Sequence, residues 1–505
     1  MSKTDSEFDS YIGPKGYTIY KKNLSEAQQA SIRKELTVKP FAPKTSIQQP
    51  TPFPIYREAP KKFYVPRMFG IKKFGEVDNY KISDGEPISL KFSGDMRDFQ
   101  KPIVQAYIDA TTSASTGGGG LLEVPCGKGK TVMALNIISR VGRKTLVIVH
   151  KEFLLNQWIE RIEQFLPTAK VGRIQGQIVD TEGKDIVIGM LQSLSMKEYP
   201  QDLFAQFGLT IIDETHHIAA EVFSRALFKI VSRHMLGLSA TMNRKDGLTK
   251  VFKMFIGDIV YSIKREDTDE VVVQALTYET NDDEFNETVY NFKGQTHYSI
   301  MIKKLCEFND RTEFILTVLK NMLADERNKQ VMILAHNKNL LTYLHKAIEH
   351  RNMATVGFYV GGMKEAALKE SESKKVVVAT YAMAEEALDI KTLSALIMAT
   401  PRTDVTQAVG RILRMKHERP LVVDIVDGHE IFQRQWKKRR TFYTKNKYTI
   451  QSTTSGKYLR DHTDETIWET MFRKGSAARE KRSMKKMEDA DNIFKGKCVI
   501  KINTE

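Results

Sequence analysis

The feature that most constrains this chain is a recurrent one: short, continuously apolar runs separated by segments of amphipathic, helical periodicity. In the first half the runs are LLEVP from Leu121, TLVIVH (145–150), DIVIGM (185–190), LTIID (209–213) and MLGLSA (235–240). A strand with one wet face alternates apolar with polar residues, so an unbroken apolar strand is covered on both faces. Strands spaced by helices reach that state as a parallel sheet with helices above and below. Residues 263–328 interrupt the pattern with mixed, more charged sequence, including NDDEFNE at 281–287. It restarts with VMILAH (331–336), TVGFYV (355–360), KVVVAT (375–380), ALIMAT (395–400) and LVVDIVD (421–427). The expectation is an α/β chain with two parallel-sheet lobes in tandem.

The length of 505 residues suits two or three domains, because single cores stop growing at roughly 250–300 residues. The first residues, MSKTDSEFDS, lack the apolar stretch of a signal peptide, and no run approaches the ~18 apolar residues of a membrane span. A soluble protein is expected. The three cysteines, Cys126, Cys306 and Cys498, are far apart and form no CxxC pair, which argues against a disulfide framework and against a thiolate zinc site and fits a reducing compartment.

Charge is unevenly spread. The formal net charge is +15, and residues 431–505 hold 19 Lys and Arg against 9 Asp and Glu. Two readings compete: a polyanionic partner contacted partly through the C-terminus, or a solvated basic tail. At the other end, seven of fifteen prolines fall between Pro40 and Pro66, which favours an extended connector or wrapping arm. Before it, NLSEAQQASIRKEL pairs Ser25 with Gln28 in a capping-box pattern that predicts a short helix.

The chemistry concentrates where strands end. In a parallel α/β sheet ligands bind beyond the carboxyl ends of the strands, often at a helix N-terminus that attracts anions. PCGKGKT sits at such a point, made of Pro125, Cys126, Gly127, Lys128, Gly129, Lys130 and Thr131. The glycines let the backbone curl around phosphate, Lys130 can reach the β- and γ-phosphates, and the Thr131 hydroxyl can ligate Mg²⁺. The first position of the usual GxxxxGK[ST] pattern is Val124 here, so a chance match remains the competing reading. LTIIDETHH supplies acidic partners at the end of a neighbouring strand: Asp213 for Mg²⁺ and Glu214 to position and deprotonate water. His216 and His217 point apart as adjacent residues do, and no second ligand cluster accompanies them, so a polar relay is expected rather than zinc. Ser239 and Thr241 in GLSATMNRKDG either report the state of the γ-phosphate or simply cap a turn. In TDVTQAVGRILRM, Gln407, Arg411 and Arg414 stand at helical spacing. They are either transition-state cations for the γ-phosphate or a solvated basic face.

Taken together and in this order, these pieces resemble superfamily 2 helicases and translocases. GDMRDFQKPIVQ is similar to the adenine-reading segment, with Gln100 at its key position; PCGKGKT and DETHH match the two nucleotide motifs; LSAT matches the coupling motif; ATYAMAEEALDI and QAVGRILR resemble the fifth and sixth motifs. The resemblance covers about residues 90–428 and is strongest to the XPB-like DNA helicase group. Lys245 stands where that group has Glu in an Arg-Glu-Asp element, and Ala387 replaces a glycine of the fifth motif. The phrases GYTIYKKNL, IRKELTVKPF and KKFYVPRMFG narrow it to the branch in large cytoplasmic DNA viruses, which includes the poxvirus transcript-release helicase.

The resemblance implies two RecA-like lobes that bind Mg·ATP and close, bringing Arg411 and Arg414 against Lys130, Asp213 and Glu214. It implies His216, His217, Ser239 and Thr241 as coupling residues, and His150, Lys151, Gln157, Gln192, Gly361 and Thr380 as contacts to nucleic acid, DNA preferred. It further implies a role in viral transcription, in factories of the host cytoplasm, with the virus particle as a second location. The expected segments are an N-terminal accessory region (1–90), the ATP-binding lobe (91–262), a connecting region (263–328), the second lobe (329–430) and a basic C-terminal extension (431–505). Within the extension, QRQWKKRRTFYTKNKY (433–448) carries Lys437, Lys438, Arg439 and Arg440 among Trp436, Phe442, Tyr443 and Tyr448. Nucleic-acid contact, packing on the second lobe and a nuclear-localisation signal all remain open for it. Within the enzyme class the rivals are an RNA helicase and a duplex translocase. Outside it stands a nucleotide-gated scaffold of a transcription complex, which Glu214 and the paired arginines argue against.

Overall fold

The computed structural model describes residues 10–41, 50–77, 79–112, 117–125, 127–200, 202–215, 220–240, 247–263, 271–386, 390, 392–412 and 417–473. They divide into two compact units, Met1–Arg265 and Glu266–Glu505.

The first unit begins with short strands β1 (Ser10–Gly13), β2 (Gly16–Tyr20), β3 (Thr37–Val38), β4 (Phe53–Pro54), β5 (Arg57–Glu58) and β6 (Lys62–Val65). Four of them form an antiparallel sheet in the order β1–β2–β6–β5, and β3 pairs with β4. The capping box is present: the Ser25 amide donates to Gln28 Oε1 at 2.8 Å and the Gln28 amide to Ser25 Oγ at 3.2 Å. It starts the helix Glu26–Glu35.

These strands are not a free arm. Alternation along them sends Ile12, Tyr17, Ile19, Phe63 and Val65 into one core with Phe223, Phe252 and Phe255. Arg67, 3% exposed, locks the junction by donating from Nη1 to the carbonyls of Ser232 (3.1 Å) and Arg233 (2.9 Å). Gly70 allows the close approach, since a Cβ there would lie 2.1 Å from the Tyr17 ring.

The larger sheet of this unit comprises β7 (Gly118–Glu123), β8 (Thr145–Val149), β9 (Val171–Gln175), β10 (Ile178–Asp180), β11 (Ile186–Met190), β12 (Leu209–Ile212), β13 (His234–Ser239) and β14 (Ile259–Ser262). Its order is β10–β9–β11–β8–β12–β13–β7–β14, and only the β9–β10 hairpin is antiparallel. The apolar runs read from the sequence are the central strands, and β8 and β12 are buried throughout.

The second unit repeats the plan with β15 (Val272–Tyr278), β16 (Val331–Ala335), β17 (Val356–Tyr359), β18 (Val376–Thr380), β19 (Ala395–Met398), β20 (Leu421–Asp427), β21 (Thr449–Thr454) and β22 (Glu469–Phe472). The order is β17–β18–β16–β19–β20–β15–β21–β22, with β22 alone antiparallel. Two sheets of this kind are the tandem lobes expected.

The second sheet draws on more of the chain than residues 329–430. The connecting region supplies β15, which lies between β20 and β21, and the basic extension supplies β21 and β22. Their sequences, VVQALTY and TIQSTT, interleave polar residues and carry a weak local signal. β15 is placed by partners far away in sequence, Val272 opposite Leu421 on one side and Thr449 on the other, which local periodicity cannot report.

Candidate functional site

The glycine loop follows from the strand that feeds it. The Val124 amide donates to the Ser239 carbonyl (2.9 Å), tying the loop to the end of β13. Gly127 and Gly129 both take φ of 79°, a left-handed conformation that a side chain disfavours. The helix Lys130–Val141 begins immediately after, so its unpaired amides face the loop. Gln100, the first residue of the helix Gln100–Thr112, is bound into this loop. Its Oε1 accepts from the Arg97 amide and its Nε2 donates to the Lys128 carbonyl, each at 2.9 Å. A Cβ at Gly129 would also meet Gln100 Nε2 at 2.5 Å and displace the Gln100 amide from its bond to Lys128.

The carboxylates come from β12, two strands away, with β13 between. Glu214 Oε1 pairs with Lys130 Nζ at 3.0 Å, and Glu214 itself adopts φ of 49°, unusual for a residue with a side chain. Asp213 is buried. Its Oδ1 accepts from the Glu214 amide (2.9 Å) and its Oδ2 from the indole Nε1 of Trp158 (2.8 Å). Burial first, then the neighbouring Glu214 charge, pushes the Asp213 carboxyl up to about 6, with Lys130 pulling the other way. Ionised at neutral pH, such a carboxylate is held at a cost that a cation relieves. Asp213, together with the Thr131 hydroxyl, is a hard-oxygen donor set of the kind Mg²⁺ takes when it keeps most of its ligands as water and phosphate. The residues therefore fit Mg²⁺.

Most other expected residues of this unit also stand at the carboxyl ends of strands, whereas Gln157 lies within a helix. His150 and Lys151 follow β8, Gln157 lies on the helix Glu152–Phe165, Gln192 is exposed on the helix Leu191–Met196, and Ser239 is buried at the end of β13. Cys126, His216, His217, Thr241, Arg414 and the positions 244–246 and 387 lie outside the described residues.

In the second unit, Gly361 follows β17 and Thr380 ends β18. Gln407 and Arg411 share the helix Thr406–Arg411. Arg411 is buried and donates from Nε to the Ala384 carbonyl at 2.8 Å. The loop before this helix is gripped at three carbonyls: Arg311 Nη1 on Ala399 (2.9 Å), the Tyr381 hydroxyl on Thr400 (2.6 Å) and Arg439 Nη1 on Arg402 (2.7 Å). Both arginines are fully enclosed and doubly bonded to carboxylates. Arg311 meets Asp427 at 2.6 and 2.8 Å, and Arg439 meets Asp424 at 2.7 and 2.9 Å. Bidentate geometry is what makes so deep a charge tolerable.

Arg439 is consequently not a strand contact, in contrast to the expectation from its place in KKRR. Along the helix Glu430–Lys445, Phe432, Trp436, Arg439 and Tyr443 form the buried stripe, while Lys437 and Lys438 are exposed and Arg440 is half-buried. Tyr448 is buried as well, so Trp436, Tyr443 and Tyr448 pack inward rather than stack on bases. Sequence reasoning missed Trp158, Arg311, Asp424 and Asp427. For Trp158 the available signal was an indole N–H on an otherwise aliphatic helix face, which needs an acceptor.

Comparison with known proteins bears on the family and the fold. A family model described as "Type III restriction enzyme, res subunit" matches residues 93–244. A protein of Acanthamoeba polyphaga mimivirus, provisionally named ATP-dependent RNA helicase L396, is 35% identical over 451 residues, covering 86% of this chain and 85% of that one. The DNA 3′-5′ translocase XPB2 of Sulfurisphaera tokodaii is 32% identical over 198 residues, 39% of this chain and 42% of its own. Among solved structures, a fragment provisionally assigned as an HsdR subunit of a type I restriction enzyme from Vibrio vulnificus matches with a TM-score of 0.50 at 14% identity, covering 72% of this chain and 70% of that one. It shares the fold. No helix among the described residues is long and apolar enough to cross a membrane.

Proposed function

The chain belongs to the superfamily 2 helicases, in the branch carried by large DNA viruses, and we propose that this ATP-dependent enzyme is a motor that tracks DNA. The observation that carries the reading is the meeting of Lys130, Glu214, Asp213 and Trp158 beyond the ends of β7 and β12.

In the nucleotide-free protein Lys130 and Glu214 neutralise each other. An arriving triphosphate competes for Lys130, which moves to the β- and γ-phosphates. Glu214 is then released to orient a water and accept its proton. Asp213 and Thr131 hold Mg²⁺, which when bound neutralises charge developing on the phosphates. Gln100 reads adenine from the loop it already braces. Arg411, Arg414 and Gln407 are the second unit's contribution to the γ-phosphate, and Ser239, with Thr241, His216 and His217, relays its state.

Nucleic acid is contacted through His150, Lys151, Gln157, Gln192, Gly361 and Thr380, with Lys437, Lys438 and Arg440 as further cations. These contacts are mostly to phosphate and sugar, so binding tolerates sequence change and weakens with salt. DNA is preferred on the XPB-like wording of the motifs. The biological setting we infer is viral transcription, as transcript release or elongation, or DNA processing in cytoplasmic viral factories. RNA is the second reading, favoured by the names of the viral relatives.

The test is steady-state ATPase activity with Mg²⁺, alone and with duplex DNA, single-stranded DNA and RNA, beside Lys130→Ala and Glu214→Gln. DNA stimulation that disappears in Lys130→Ala is expected, with ATP bound but not turned over by Glu214→Gln. Stimulation by RNA alone would replace the DNA reading, and undiminished turnover in Glu214→Gln would remove Glu214 as the base.

A further inference from the structure

The outer face of the N-terminal sheet has a composition that its inner face does not explain. Ile12, Tyr17, Ile19, Phe63 and Val65 point into the core, so the alternate residues take the opposite face, where Thr18 is buried and Tyr11, Tyr20, Tyr64 and Lys62 are half-buried. Register places Tyr11, Thr18 and Tyr64 in one row across β1, β2 and β6, and Tyr20 beside Lys62 in the next. On β5 Arg57 is in register with Tyr64, but its guanidinium turns to the Phe228 ring, 5.2 Å from the centroid, and takes no part in this face. None of these outward positions is acidic.

The lysines of this face lie over rings. Lys62 Nζ stands 5.2 Å from the Tyr11 centroid and 4.6 Å from that of Tyr20, and it donates to the Tyr11 hydroxyl at 3.2 Å. Lys81 is 4.4 Å from Tyr11, and Lys15, in the β1–β2 turn, is 5.3 Å from Tyr64. Elsewhere in the same module cations meet carboxylates: Lys21 and Arg33 pair with Glu58 at 2.6 and 2.8 Å, and Lys73 with Glu35 at 2.5 Å. A ring face is a weaker partner for an ammonium group than an anion is. Exposed Lys15 and Lys81 therefore gain by leaving the rings for phosphate, and the rings they uncover become stacking surfaces.

We propose that Tyr11, Tyr20 and Tyr64, with Lys15, Lys62 and Lys81, form a platform for single-stranded nucleic acid, separate from the motor motifs. Bases lie on the tyrosines and phosphates run between the lysines, the combination that binds single strands with little sequence preference. The platform sits on the unit that carries the phosphate loop, fastened by Arg67. A strand held there is held by the part of the enzyme that binds nucleotide. The proposal uses the helicase reading only for the chemistry of the ligand.

The experiment is equilibrium binding of the nucleotide-free, full-length protein to oligothymidylate, oligouridylate and a mixed-sequence duplex, by filter retention across a salt series. Tyr11→Ala/Tyr20→Ala/Tyr64→Ala is expected to weaken single-strand binding by about tenfold or more while affecting the duplex far less, because duplex bases are already stacked. Lys15→Gln/Lys81→Gln, at exposed positions that do not threaten folding, should reduce the salt slope by about one for each phosphate no longer neutralised. Strand-independent ATPase activity should be unchanged in both. Single-strand affinity within about twofold of the parent in both variants, with the same salt slope, overturns the platform, and so does an equal loss on duplex. Lys130→Ala separates this outcome from failure of the motor reading, since it removes turnover and leaves nucleotide-free strand binding in place.

Discussion

Replacing Asp213 by Asn should change the stability of the nucleotide-free enzyme with a sign that depends on pH. The carboxyl is pushed from 3.8 up to about 6, and each pH unit is worth about 1.4 kcal/mol. Ionising Asp213 inside the fold therefore costs about 3 kcal/mol more than in the unfolded chain. Below about pH 4 the group is neutral in both states and the cost is absent. As pH rises from about 4 to 6 the unfolded chain loses its proton first, so stability falls, and above about 6 the full cost applies. This is the reverse of a carboxylate stabilised by a partner.

The Asn variant escapes that cost but has a single carbonyl oxygen, where Asp213 accepts from both Trp158 and the Glu214 amide. Leaving one buried donor without an acceptor costs about 1–2 kcal/mol. The variant should thus be more stable than the parent by about 1–2 kcal/mol at pH 8 and less stable by a similar amount at pH 4. For a unit of this size, that is a shift of a few degrees in melting temperature each way. Scanning calorimetry of the metal- and nucleotide-free proteins at pH 4, 6 and 8 reads it directly. A variant that melts below the parent at every pH, or a difference that does not change between pH 4 and 8, would refute the argument that a costly charge is stored at Asp213.

Three further outcomes follow from the geometry. Arg439→Met strands the buried Asp424 carboxylate and should cost about 3–5 kcal/mol, whereas Arg439→Met/Asp424→Leu should recover most of it in a denaturant titration. Arg67→Ala leaves the Ser232 and Arg233 carbonyls without their donor, so limited proteolysis should cut within residues 75–90 faster than in the parent. Gly129→Ala forces a Cβ into Gln100 at a φ that disfavours it. ATP hydrolysis should fall to background, and any residual nucleotide binding should lose its preference for adenine over guanine, measured by competition.

What the sequence made legible was local. Each apolar run that became a strand, the glycine loop and the carboxylates after LTII depend on short-range pattern, because a doubly covered strand must be continuously apolar and a phosphate loop must be continuous in sequence. What it concealed was the pairing of distant residues. Trp158 reaches Asp213 from a helix that reads as ordinary core packing, and Arg439 looks like part of a basic tract until Asp424 is found beneath it. The N-terminal module was obscured for the same reason: its prolines suggest extension, while the residues that anchor it, Arg67 and Gly70, act on partners far along the chain or across the sheet.

The indole beside Asp213 gives the enzyme an internal optical probe. The chain has three tryptophans, and two of them, Trp436 and Trp468, belong to the second unit. Trp158 is 1% exposed and shielded from solvent quenchers, and its N–H ends on the carboxylate proposed to hold Mg²⁺. Its emission wavelength and intensity therefore follow the charge on Asp213. Loading of the hydrolytic site can be timed by stopped-flow fluorescence in the unlabelled protein, with Trp158→Phe as the blank.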